Sequence, residues 1–484
     1  MQLLDLITIF IFALGIVIMG LSFSGKGRNM KSFFAAGGAV PWLMSGLSLF
    51  MGFFSAGTFV VWGSIAYSLG WIAISIQWTM AIAGFVVGFF IAPRWHKTSA
   101  LTVAEYITRR LGVNTQKTYT YLFLFISLFT TGSFLYPVAK IVEVSTGMPL
   151  DLCILLLGGF CIVYVAAGGL WAVVSTDVLQ FIILTAAVLI VVPLSFGRVG
   201  GVVNFIESIP ATYFNLVNGE YTIGFIVAFG VYNTIFLGGN WAYVQRYASV
   251  NSQSSARKVG FLFGGLYVVS AVLWMLPPMI YRIVNPSLST IDAEGAYLMM
   301  CKEVLPAGLL GLMLSGMVFA TASSLNATLN ISSGVVTNDI FKRLFPQSSD
   351  KTLMRVARIS TIIFGLLAII VALLIPLMGG IVNVVISVAA LTGVPLYLPI
   401  IWTLFSKRQT EYSVITTTLV SLGANAFFKF ITPLWGFGFN RAEEMIVGVA
   451  FPVLCLIAFE LYYKLNHKIS HRYVEYQEWD CLLY

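Results

Sequence analysis

In the segment MVFATASSLNATLNISSGVVTNDIF (317–341), Ala320, Ser323 and Ser324 stand at i, i+3 and i+4. On a helix this spacing brings one backbone carbonyl and two hydroxyls onto a single face. A small hard cation takes several oxygen ligands, and neutral ones suffice where a carboxylate lies near. Further oxygens would come from GLSLFMGFFSAGTF (46–59), where Gly52 and Gly57 flank Ser55 and weaken any helix there. The Ala-Ser-Ser spacing also serves close helix packing, with each serine hydroxyl bonded back to its own helix. Taken alone, it fits that use better.

Asp177, in GGLWAVVSTDVLQFIIL (168–184), is an ionisable group about one turn into an apolar helix, a costly and usually functional placement. With Ser175 and Thr176 it equally suits an N-terminal cap. Gln77, Trp78, Asn233 and Gln245 are the other polar side chains inside apolar runs, each as fit for helix–helix contact as for a ligand. Lys140 and Glu143 (i, i+3) read as a surface ion pair. All three histidines, His96, His467 and His471, lie in polar stretches. With no nucleophile–base or metal set in view, the chain does not read as an enzyme.

The elements that must hold these groups follow from composition. Of 484 residues, 59% are hydrophobic and 10% charged, with a mean hydropathy of +0.92. A soluble domain is nearer half apolar and a quarter charged, so most of this surface must face lipid. Five cysteines without a CxxC spacing give no disulfide framework. Apolar runs of spanning length recur at 3–23, 41–68, 71–93, 118–146, 150–167, 174–197, 221–245, 258–284, 305–336, 354–377, 380–405, 411–432 and 444–465. They lack the short alternating pattern of a barrel and predict thirteen transmembrane helices. The first lacks a basic leader and a cleavage site, and is read as a retained helix.

Twenty-one Lys and Arg fall on one side of the alternating loops and six on the other. The positive-inside rule then puts the N-terminus outside and the C-terminus in the cytoplasm of a multi-pass protein of the cell membrane. The net charge of +8 is therefore a topology signal, and no nucleic-acid partner is expected. Two runs look broken: the second, at Gly52 to Gly57, and the seventh (VYNTIFLGGNWAYVQR), at Gly238-Gly239. They open two successive five-helix blocks, which an odd helix count makes inverted. Interruptions at matching places in two inverted halves point to a secondary-transporter binding site.

Taken together, these residues resemble a known family, the sodium:solute symporters. GGLWAVVSTDVLQ resembles that family's signature segment. FFAAGGAVPWLMSGLSLFMGFFSAGTFVVWGSIAYSLGW resembles its first core helix, NWAYVQR the end of its sixth, and ASSLNATLNISSGVVTNDIF its eighth. The likeness runs in order from about residue 33 to residue 408. It implies an all-α polytopic membrane protein with the inverted five-plus-five helix repeat of the leucine-transporter type, one extra N-terminal helix and two extra C-terminal ones. Residues 1–32 would hold the extra helix and a loop, 33–217 and 218–408 the two repeats, and 409–484 the last two helices and tail.

The resemblance assigns a sodium site to the carbonyls of Met51, Phe54 and Ala320 and the hydroxyls of Ser323 and Ser324, with Asp177 on the ion's path. Asn326 and Ala327 stand where some members carry two further hydroxyls, which argues against a second sodium. Thr58, Gln77 and Asn233 would touch the solute, and Phe236 would act as a gate. Ser55, Thr58 and Gln77 agree with the sialic acid transporters, but SLFTTGSFLYP (127–137) has no Arg to hold a carboxylate. Against the sodium/galactose transporters, Gln77 and Asn233 are compatible, whereas Phe53 replaces a sugar-binding Asn.

The expected function is sodium-coupled import of a small organic solute (a sugar, carboxylate, amino acid or vitamin) with no cofactor beyond the co-transported sodium ion and a possible monomer in the lipid bilayer. A proton-coupled carrier working through Asp177 is the rival. A solute sensor would need a signalling domain, and nineteen residues follow position 465.

Overall fold

The computed structural model describes residues 2–24, 40–100, 102–164 and 170–482. The side chains of Ser323, Asn326 and Ala327 lie outside the described set, as do the proposed boundary at 32–33 and the Gly168-Gly169 start of the signature segment. Among the described residues every regular element is a helix. In a hydrocarbon solvent only an intrahelical ladder satisfies each backbone N–H and C=O, so long apolar runs have no other stable form.

Eight of these helices are individually long and apolar enough to cross a membrane, and the bent pair Ile223–Gly239 and Trp241–Ala248 makes a ninth. Leu3–Phe12, Trp42–Met51, Thr58–Leu69, Leu150–Gly159 and Leu309–Thr321 are shorter apolar pieces. Helix starts are fixed by side-chain caps: Thr222 accepts from the Phe225 amide, Ser252 from Ser255, and Asn440 forms a capping box with Glu443.

The long helix Gln253–Val284 packs along Trp71–Val86 and Trp42–Met51. Small residues let it approach: a Cβ on Gly84 would sit 2.7 Å from the Gly264 nitrogen, and one on Gly260 2.5 Å from the Gly88 Cα. Without a hydrophobic drive between helices in lipid, such backbone contact is what holds them. Farther out, Lys351–Met378, Glu411–Trp435 and Arg441–Leu465 turn most of their surface outward.

Both expected interruptions exist, and they differ. The first separates Trp42–Met51 from a π-turn at Thr58–Trp62 and the helix Gly63–Leu69. The second is a 59° bend at Asn240. Gly238 and Gly239 remain helical, which corrects the expected position. Their role is close packing, since a Cβ would lie 2.8 Å from Ile91 Cδ1 at the first and 2.7 Å from Tyr397 Cβ at the second.

Asp177 needs a second correction. The described part of the helix holding it runs Leu170–Arg198, so Asp177 is at least two turns inside rather than at its cap. Lys140 and Glu143 do pair, at 2.9 Å, although Lys140 is buried rather than on the surface.

Candidate functional site

The first break is built from a helix that runs out of ladder. Within Gly52–Gly57 the amides of Gly52, Phe53 and Phe54 turn back onto the carbonyls of residues 48–50. Among the described residues no backbone amide donates to the carbonyl of Met51 or Phe54. The break is held from across the molecule, because the Ala56 amide donates to Thr321 Oγ1 at 2.9 Å. Thr321 follows Ala320 on the helix Leu309–Gly334, so the open backbone is pinned beside the predicted serine face. On that face Ser324 Oγ donates to the Ala320 carbonyl at 3.4 Å.

Two cavities flank the break. The smaller, about 90 Å³, is lined by Met51, Asp177, Arg246, Ser324 and Thr328 among others. Met51 and Ser324 are thus brought together with Asp177. Phe54 and Ala320 are buried nearby and line neither cavity, Phe54 stacking on Trp274 at 4.6 Å between ring centres. Asp177 accepts the Ser48 hydroxyl at 2.6 Å, and Arg246 Nε donates to the same Ser48 Oγ at 3.0 Å. The network joins both broken helices to the Asp177 helix.

The larger cavity, about 180 Å³, is lined by Thr58, Gln77 and Asn233 and walled by Phe53, Trp62 and Phe229. The Thr58 hydroxyl donates across the break to the Phe53 carbonyl. Asn233 Nδ2 donates to Thr79 Oγ1 at 2.7 Å. Gln77 is buried, and its Nε2 has no partner among the described residues. Phe236 lines both cavities. Its ring packs with those of Phe53, Tyr232, Tyr243 and Tyr397 at 5.5–6.4 Å between centres.

Several contributors escaped the sequence reading. Thr321, Ser48 and Arg246 act through partners more than a hundred residues away. The available signal was a buried Arg six residues after Asn240, counted only as a loop charge. Glu294 was missed too. Its carboxylate accepts from the Tyr136 hydroxyl at 2.8 Å and the Ile381 amide at 2.9 Å, so it ties the crossing segment 285–308 to two helices. Burial pushes the Glu294 carboxyl above the usual range, against the pull of those two donors.

Comparison with known proteins agrees with this architecture. The model of the sodium:solute symporter family matches residues 33–420. A sodium/glucose cotransporter of Vibrio parahaemolyticus is 29% identical over 472 residues, covering 88% of this chain and 86% of its own. Sodium/glucose cotransporter 1 of Mus musculus is 25% identical, covering 84% and 68%. Among solved structures, a substrate-bound outward-open Na+-coupled sialic acid symporter shares the fold at a TM-score of 0.78 and 21% identity, over 95% of this chain and 98% of that one. The nucleobase-cation-symport-1 transporter Mhp1 follows at 0.58 and 15% identity, over 93% and 99%. An all-helical membrane protein matched along most of its length in this way belongs to the sodium:solute symporter family.

Proposed function

We propose that the protein is a sodium-coupled symporter that imports a small organic solute across the cell membrane by alternating access. Sodium is held by the carbonyls of Met51, Phe54 and Ala320 and the hydroxyls of Ser323 and Ser324. The observation that carries this reading is the Ala56–Thr321 hydrogen bond, which fixes the unladdered carbonyls beside the helix bearing Ala320 and Ser324. The 3.4 Å between Ser324 Oγ and the Ala320 oxygen also suits two neighbouring ligands of a cation with metal–oxygen distances of about 2.4 Å. Asp177 stands on the ion's way to the cytoplasm, Thr58, Gln77 and Asn233 face the solute, and Phe236 separates the larger cavity from the smaller. Sodium stabilises the state that receives solute, and closure around both permits release. Mutual preference of each ligand for the other's bound state, typically 1–3 kcal/mol, is all that coupling requires.

The same reading takes thirteen crossings: the eight long helices, the bent pair, and the shorter apolar pieces with the two halves of the first broken helix counted together. Residues 33–217 and 218–408 form the inverted repeats, between the 1–32 segment and the two C-terminal helices of 409–484. On this reading the N-terminus lies outside. A membrane-impermeant thiol reagent checks the orientation in right-side-out cells. Ser208→Cys should react and Gln347→Cys should not, both positions being exposed; labelling of position 347 overturns it.

The rival, proton coupling, rests on the burial of Asp177 within a span. Uptake of a panel of sugars, amino acids, carboxylates and vitamins into proteoliposomes separates the two. The sodium reading expects accumulation of one solute class under an inward sodium gradient and none in choline at fixed pH. Accumulation in choline driven by a pH gradient would reverse the choice.

A further inference from the structure

We propose that the larger cavity takes an uncharged polar solute and rejects carboxylates, a reading that rests on the symport function above. Among the described residues no Asp, Glu, Lys, Arg or His lines this cavity. The charged pair nearest the site, Asp177 and Arg246, lines the smaller cavity and is joined through Ser48. A carboxylate carried into such a space loses its hydration and meets no cationic side chain on the wall, and a poorly paired buried charge is among the costliest placements in a protein.

The hydrogen-bonding groups on the wall narrow the class further. Thr58 donates to the Phe53 carbonyl, Ser133 to Phe129 at 2.9 Å, and Thr392 to Val388 at 2.8 Å. Thr130 donates to the Ile126 and Ser127 carbonyls. With its one proton turned back into its own chain segment, each hydroxyl keeps only lone pairs for a ligand. Asn233 gives an amide proton to Thr79 and keeps its Oδ1 as an acceptor. Against these acceptors stands the unpartnered Gln77 Nε2, buried on the same wall. The hydroxyls of Ser55, Tyr232, Tyr243, Tyr267 and Tyr397 line the cavity too and can donate, so the wall offers neutral donors and acceptors and no cationic side chain for a carboxylate. The Phe53, Trp62 and Phe229 rings offer a wall for the solute's C–H face.

The test uses purified full-length protein and thermal unfolding in sodium chloride or choline chloride. Matched pairs are added: glucose with glucuronate, galactose with galacturonate, and nicotinamide with nicotinate. The expected result is a sodium-dependent rise in melting midpoint with at least one neutral member and none with its carboxylate partner. Gln77→Leu should weaken that neutral ligand about tenfold or more while leaving the stabilisation by sodium alone intact. That sodium-only shift also separates the two claims. If it is absent in the wild type, the symport reading fails. If it is present and a carboxylate member binds, or no neutral member does, the solute class proposed here is wrong.

Discussion

The two broken helices treat their own backbones in opposite ways. At Asn240 the bend is capped: its amide donates to the Phe236 carbonyl at 3.0 Å, its Oδ1 accepts from the Ala242 amide at 3.0 Å, and the freed carbonyls of Leu237 and Gly238 accept from the Tyr247 hydroxyl at 3.2 Å and from the distant Trp95 Nε1 at 2.7 Å. At Gly52–Gly57, among the described residues, the carbonyls of Met51 and Phe54 receive no amide, and the Ala56 amide donates to Thr321, 265 residues away. A break whose freed carbonyls find side-chain donors can serve as a hinge. A break that leaves oxygens over invites a cation. Equal-looking glycine interruptions in the two halves thus point to different chemistry, because among the described residues side-chain donors reach freed carbonyls at the second break and not those of Met51 and Phe54 at the first.

If that contrast is right, the largest effect belongs to the serine face opposite the open break. Removing one oxygen from a shell of neutral ligands should cost about 1.5–3 kcal/mol, like losing a hydrogen bond to a charged group. Ser324→Ala should therefore raise the sodium concentration for half-maximal binding by roughly one to two orders of magnitude. Alanine favours helix, so the fold should persist, and an unchanged melting midpoint without sodium checks this.

Next come the glycines of the second half. Gly239→Ala forces a methyl against Tyr397 Cβ and should destabilise the protein by about 1–3 kcal/mol, as overpacking does. A variant that melts like wild type would show that the bend region yields more than its packing implies. Asn240→Ala should come third, losing a cap worth about 1 kcal/mol. That loss should slow solute turnover about severalfold without moving the sodium dependence, and a changed sodium half-saturation would place the second break in the ion site as well.

The smallest effect is expected at Gly57→Ala, where a Cβ meets only Ser55 Oγ at 3.6 Å and the backbone is already right-handed helical. It should be neutral or stabilise by about 0.4–1 kcal/mol, through the unfolded chain. Loss of stability there would mean the first break is as tightly packed as the second. Melting curves of the two glycine variants measured together sharpen the comparison directly.

Local pattern carried much of this into the sequence. Gly52, Ser55 and Gly57 marked the first break because helix propensity is a property of neighbouring residues, and the Ala320–Ser324 face came from helical period alone. Asn240 was less legible, since Gly238-Gly239 drew attention to flexibility while the bend depended on an asparagine able to cap the helix Trp241–Ala248. Asp177 misled for a related reason: polar neighbours Ser175 and Thr176 resembled a cap, whereas the helix already runs through Leu170–Val174 before them. The roles of Arg246 at the smaller cavity and of Glu294 between helices were not legible, because their partners are brought together only by tertiary packing.

The central claim is that the first break, and not the second, holds sodium. Equilibrium binding of radiolabelled sodium to purified protein, with choline holding ionic strength constant, tests it most directly across wild type, Ser324→Ala and Asn240→Ala. The account predicts saturable binding by wild type and Asn240→Ala at the same sodium concentration, and a curve shifted by at least about tenfold for Ser324→Ala. Wild-type binding by Ser324→Ala, or its loss in Asn240→Ala alone, would contradict it.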